Sequence, residues 1–181
     1  MNPYVDRMIR AARLETGLYE EVEADKGAMG QAIGVVVLSS LAAGTATISS
    51  LGLTGVILGT LATLISWFVW AYLIYFIGTK LLPEPQTHAD HGQLLRTLGF
   101  SSSPGLIRIL GLVPFAREIV FLAASIWMLV AMVVAVKQAL DYESTFRALG
   151  VCAIGWLIQL LLMALFFSIF GNIPQTPQPI G

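Results

Sequence analysis

Between residues 30 and 77 the chain carries no charged side chain. No water-exposed fold can clothe itself from such a stretch, because a soluble surface needs charge and this run supplies none. A helix that crosses a hydrocarbon layer of about 30 Å needs about 20 mostly apolar residues at 1.5 Å of rise each. The run holds two such lengths, 30–51 and 56–77. Between them Gly52-Leu53-Thr54-Gly55 reads as a tight turn, which predicts an antiparallel helical hairpin in a bilayer.

Two later stretches qualify by the same length rule. Residues 119–136 are uncharged up to Lys137, and 148–170 are apolar to the last turn. The composition agrees with this reading. Charged residues make up 12% of the chain and mean hydropathy is +0.79, whereas soluble domains carry about 25% charge. The first 27 residues lack the apolar core of a cleavable signal. A net charge of −1 offers no basis for a nucleic-acid partner.

Residues 80–93 hold Pro83 and Pro85 and read as a loop. The next stretch, 94–113, is ambiguous. It contains Arg96, three serines at 101–103, Pro104 and Arg108. It predicts either a broken spanning helix held inside the bundle or two short helices in a re-entrant turn, since broken backbone at membrane depth needs protein or water around it. Counted as a crossing, it places eight basic residues on one side of the membrane, one on the other, and leaves Arg108 inside. By the positive-inside rule the N-terminus is then cytoplasmic and the C-terminus outside, in a multi-pass protein of the cell membrane.

The expected fold is therefore all-α: a polytopic membrane helix bundle of about five transmembrane helices with an N-terminal interfacial amphipathic helix. Residues 1–28 form a cytoplasmic amphipathic and acidic segment, 29–171 the membrane domain, and 172–181 a Pro- and Gln-rich tail expected to be disordered.

Several groups of residues suggest a task. In 5–14, Val5, Met8, Ile9 and Ala12 share one helical face while Arg7, Arg10 and Arg13 lie opposite, a pattern suited to contact with anionic lipid. An ordinary lead-in helix packed on the bundle fits the same pattern. Glu20, Glu21, Glu23 and Asp25 form an acidic cluster before the first span. It reads as a solvated helix end, as a cation site, or as the counter-charge to buried arginines. Arg96, Arg108, Arg117, Glu118 and Lys137 are charges near or within spans, and such charges face the bundle interior, a wet cavity or the interface. Glu20, Glu23, Asp25, Arg96, Arg108 and Lys137 thus make a candidate buried ion-pair or lipid-headgroup cluster. For Arg117 and Glu118 interfacial snorkelling is favoured.

Other signals are weaker. His88-Ala89-Asp90-His91 looks like a ligand cluster, but three ligands this close seldom complete a site, so no metal is expected. Trp67 and Trp70 sit too centrally for an interfacial belt and read as packing residues. Gly30, Gly34, Ala42, Ala43 and Gly44 offer a small-residue surface, used for packing within the chain or for a homo-oligomer. Cys152, the one cysteine, reads as a packing residue. No nucleophile–base–orienter set and no phosphate loop appears, so neither an enzyme nor a cofactor is expected.

Read in order, the chain resembles the bacterial branch of the Yip1 domain family of multi-span membrane proteins. The likeness covers roughly residues 5 to 170. It rests on Leu18-Tyr19-Glu20-Glu21-Val22-Glu23-Ala24-Asp25, Gly30-Gln31-Ala32 and Leu95-Arg96-Thr97-Leu98-Gly99-Phe100. Ser103-Pro104-Gly105, Ile126-Trp127, Val136-Lys137-Gln138-Ala139-Leu140 and Gly155-Trp156 complete it. The resemblance implies five spans and a cytoplasmic N-terminus. Eukaryotic relatives are associated with Rab GTPases, vesicle trafficking and membrane shaping. This chain lacks their long N-terminal region, which argues against Rab-type GTPase binding. The expected function is a non-enzymatic scaffold that organises membrane lipid or partner proteins. The alternative is a small transporter, channel or lipid scramblase that uses the broken third span and its arginines.

Overall fold

The structure is a computed structural model that describes residues 2–45, 48–113 and 115–170. The predicted tail lies outside these residues. All regular structure among them is helical. The elements are α1 (Pro3–Ala12), α2 (Thr16–Ala24), α3 (Met29–Gly44), α4 (Ile48–Phe76), α5 (His91–Phe100), α6 (Arg117–Ala139) and α7 (Thr145–Phe170). A 3-10 turn, Lys26–Ala28, leads into α3, and a wide π turn, Ile77–Leu81, closes α4. A ten-residue 3-10 segment, Ser103–Leu112, follows α5.

Four helical stretches are long and apolar enough to cross a membrane: Lys26–Gly44, Gly52–Leu81, Arg117–Ala139 and Thr145–Leu162. The first turn falls earlier than the sequence predicts. α3 ends at Gly44 and helix resumes at Ile48, so the first span does not reach residue 51. Gly52 does mark a break, with φ of +61° in a region that glycine enters without steric cost. Residues 53–55, however, belong to α4. The hairpin itself is antiparallel as expected. Ser40 Oγ lies 3.3 Å from Thr60 Oγ1, and Gly44 abuts Val56 so closely that an added Cβ would stand 2.9 Å from it.

The ambiguous stretch is a broken helix that keeps its direction. Along α3, Ala32 faces Gly99 and Ser39 faces Gly105. Along α6, Met128 faces Gly105 and Phe121 faces Gly111. The segment therefore runs with α3 and against α6, and a re-entrant turn would reverse one of these pairings. Ten 3-10 residues rise about 20 Å along this course, whereas α5 crosses α3 more steeply, with Gly92 near Met29 and Gly99 against Ala32. Glycine permits the fit: a Cβ on Gly99 would meet the Ala32 Cβ at 2.7 Å and its carbonyl oxygen at 3.1 Å. Beside the four helices long and apolar enough to cross a membrane, this segment thus runs through the bundle, so the chain makes about five passes.

The N-terminal helices are part of this bundle. α1 and α2 form an antiparallel pair whose inward face contributes Met8, Ala11, Leu18, Tyr19 and Val22 to the main core. The predicted stripe on α1 is rotated. Tyr4, Met8 and Ala11 turn inward, and Val5 is 42% exposed. Tyr4 has an apolar ring behind its hydroxyl and substitutes for Val5 at the core edge. Trp127 Nε1, near the middle of α6, donates to the Ala12 carbonyl at 2.8 Å and fixes the tip of the pair.

α5 is the most enclosed helix, with every residue from Leu94 to Phe100 buried. It begins at His91 rather than beyond residue 93. Asp90 and Gln93 form a capping box: the Asp90 carboxylate accepts from the Gln93 amide at 2.8 Å, and the Gln93 side chain accepts from the Asp90 amide. His91 is thereby placed among Phe68, Tyr72 and Tyr75, with ring centroids 4.9, 5.7 and 6.4 Å away. Among the described residues no three His, Cys, Asp or Glu side chains converge as metal ligands. Cys152 is buried and free.

Candidate functional site

The charged residues sort by end. The end that gathers the C-terminus of α2, the start of α3, the loop after α4 and the α6–α7 turn holds Arg7, Arg10, Lys26, Lys80, Arg96, Lys137 and Arg147, with Arg13 at the tip of the α1–α2 pair and Arg117 at the other end. Three ionic arrangements tie this end together. Arg7 donates to Glu21, Asp25 and Gln31 at 2.8, 2.9 and 2.9 Å, and Arg10 to Glu21 and Glu15 at 2.6 and 3.2 Å. Hydrogen bonds from Arg10 and Arg7 hold the Glu21 carboxyl below its ordinary range. Arg7 also keeps Asp25 low, helped by the Gly27 amide.

Arg96 is 5% exposed, and its guanidinium donates to two backbone carbonyls, Val22 and Glu23, at the end of α2. Those carbonyls are among the four that a helix C-terminus leaves without an internal partner. Glu84 closes the third arrangement. It accepts from Arg147 at 3.1 Å and from the Glu143 amide at 3.0 Å, while Tyr142 donates its hydroxyl to the Gly78 and Leu82 carbonyls.

The predicted six-residue cluster is therefore divided. Arg96, Glu23 and Asp25 meet around the end of α2, with Glu20 exposed beside them and Lys137 half-buried in the last turn of α6. Arg108 lies elsewhere. Its Nη2 donates to Ser125 Oγ at 3.1 Å, and its guanidinium carbon sits 5.5 Å from the Phe121 ring centroid. Ser125 is about 12 Å along α6 from Arg117 at 1.5 Å per residue, well inside the apolar length of that helix. The lipid-contact arginines also divide: Arg7 and Arg10 are engaged with carboxylates, and Arg13 stands exposed.

Arg108 borders a cavity of about 440 Å³ between α4, α6, α7 and the 3-10 segment. Polar lining comes from Thr63, Ser66, Ser102, Ser125 and Gln159, and apolar lining from Met128, Met132 and Trp156. A second cavity of about 280 Å³, along the α3–α4 hairpin, shares Val36, Thr63, Ser102, Arg108 and Met128 with the first. Sequence reasoning found Arg108 but not this setting. The signal available was the set of isolated polar residues, Thr63, Ser66, Ser125 and Gln159, in otherwise apolar spans.

The small-residue surface of α3 is largely used inside the chain. Gly34 packs on Tyr4 and Gly44 on Val56, whereas Gly30 has open space beside it. The outer flanks are strongly apolar. On α7, Leu160 and Leu161 are 67% and 70% exposed, and α4 presents Leu53, Ile57, Leu58, Leu61 and Ile65. A continuous apolar belt of this kind is stable only against lipid.

Such a belt around long antiparallel helices, with the ionic ties gathered at one end, defines a multi-pass membrane protein. The Yip1 domain model matches residues 23–167, and the chain belongs to the Yip1 domain family. No curated protein and no solved structure matches it.

Proposed function

We propose that this chain is a non-enzymatic membrane protein that organises the bilayer around it by holding a lipid in the cavity beside Arg108. The observation that carries this reading is a half-buried guanidinium with no carboxylate partner among the described residues, bordering a cavity flanked by lipid-facing helices. A charge at membrane depth is retained where it has a task or a wet environment, because placing it there is costly. The same arrangement suits a scaffold better than a conduit. The lining stops at Trp70, Leu98 and Met132, and Trp70 packs against Gly155 on the side of the charged end. The positive-inside rule puts that charged end, with the N-terminus, in the cytoplasm.

The test is reconstitution. Protein purified in mild detergent should retain about one phospholipid per chain, and proteoliposomes should show neither ion flux nor accelerated lipid transfer between leaflets. Flux or scrambling that depends on Arg108 would replace this reading with transport, and delipidated protein with unchanged stability would remove it.

A further inference from the structure

We infer that the cavity beside Arg108 is specific for an anionic, acceptor-only group, and that its ligand is held by a phosphate rather than by its apolar tails. This rests on the lipid-holding reading above and deepens it by naming the chemistry of the ligand.

The lining carries a positive charge, Arg108, with no carboxylate beside it among the described residues. Among the described residues, Arg108 Nε and the indole nitrogens of Trp67 and Trp70, two other residues of the lining, are buried with no partner. All three are donors that cannot accept. Among the described residues the guanidinium has one side-chain hydrogen-bond partner, Ser125 Oγ, and that hydroxyl already gives its own proton to the Phe121 carbonyl at 2.7 Å. Ser125 is thereby fixed as an acceptor towards Arg108 and cannot balance its charge. Among the described residues no Asp or Glu lines either cavity. Ser66, Ser102 and Gln159 can turn donors inward at little cost, whereas the Thr63 and Ser101 hydroxyls give their protons to the Gly59 and Leu98 carbonyls, each at 2.8 Å.

A neutral hydroxyl or a water could satisfy some of these donors but would leave the positive charge uncompensated in a low-dielectric site. A phosphate offers several acceptor oxygens and a negative charge, and guanidinium binds such a group through paired hydrogen bonds. Next to this polar side lie Met128, Leu129, Met132 and Trp156, soft apolar surface against which acyl chains can lie. Phosphate and tail surface side by side match a glycerophospholipid. A free phosphate ion would use only the polar half.

The experiment titrates full-length protein in detergent micelles with dioctanoyl phosphatidylglycerol, dioctanoylglycerol or inorganic phosphate, following indole fluorescence. Three of the four tryptophans line the cavity. The expected result is saturable binding of the phospholipid and none of dioctanoylglycerol. Arg108→Gln should weaken phospholipid binding about tenfold or more, as loss of a charge-assisted contact implies. A preserved melting transition in the variant shows that folding is intact. If both lipids bind equally and Arg108→Gln changes nothing, the phosphate inference is overturned and the lipid-holding reading stands. If inorganic phosphate saturates the site and the phospholipid does not compete, the anion site stands and the lipid-holding reading falls. If no probe saturates, both fall.

Discussion

Arg96, inside α5, donates its Nε proton to the backbone carbonyl of Val22, 2.8 Å away and 74 positions earlier in the chain. A second nitrogen of the same guanidinium reaches the Glu23 carbonyl. A buried arginine is thus spent on a helix end rather than on a carboxylate. The placement is favourable twice over: the carbonyls lack internal partners, and a cation at a helix C-terminus meets the negative end of the helix dipole.

Arg96→Ala should therefore release α2. Losing hydrogen bonds from a charged donor and leaving buried carbonyls unmet costs about 2–3 kcal/mol. Denaturation in detergent should show a loss of that order. Amide exchange should accelerate in 16–25 and remain slow in α6. Unchanged protection of 16–25 would show that burial of Leu18, Tyr19 and Val22 alone holds α2 in place.

The arginines of α1 should separate in their effects. The Arg7 side chain is 16% exposed and joins α1 to α2 and α3 through three hydrogen bonds. Arg7→Gln should lower stability by about 1 kcal/mol, the range for a partly buried ionic network. It should leave lipid preference unaltered. Arg13 is exposed, and Arg13→Glu should reduce enrichment of anionic over zwitterionic lipid at the protein surface without moving the melting transition. Spin-labelled lipids of both kinds provide the measurement. If Arg7→Gln alone changes lipid preference, contact with anionic lipid belongs to the paired face of α1.

Apolar length made four crossings legible, because a run such as 119–136 leaves the chain no alternative to burial in lipid. The stretch 94–113 was harder to read because it is built differently. α5 and the 3-10 segment are two short pieces, and the small residues Gly99, Gly105 and Gly111, rather than apolar bulk, fit them against α3 and α6. The rotation of α1 was missed because Tyr4 was not counted as apolar, and the start of α5 because Asp90 and Gln93 were read as loop polarity instead of a capping box. The candidate cluster was half legible. Sequence spacing shows that Arg96 and Arg108 are both charges in an apolar setting. It cannot show that one is neutralised by a helix end from 74 residues away while the other is left facing a cavity.

Glu23 should give the folded protein a pH dependence near neutrality. Burial pushes its carboxyl up to about 7, the nearby charges of Asp141, Glu20 and Asp90 add to the shift, and Arg96 opposes it incompletely. The guanidinium gives its protons to the carbonyls of Val22 and Glu23, so the Glu23 side chain is poorly compensated. A carboxyl whose folded value exceeds its unfolded one binds its proton more tightly in the native state. Its contribution is complete below the unfolded value and is lost as pH rises through about 7. Glu21, Asp25 and Glu84 behave oppositely. Their folded values are held low, so they stabilise above the ordinary carboxyl range and lose that contribution as pH falls through the lowered values. The melting temperature should therefore rise as pH is lowered from 8 to 6 and fall again in acid. Glu23→Gln should abolish the rise between 8 and 6 and leave the acid limb in place. A thermal-unfolding series of both proteins across this range checks it, and an unchanged slope in the variant would assign the neutral-range titration to another group.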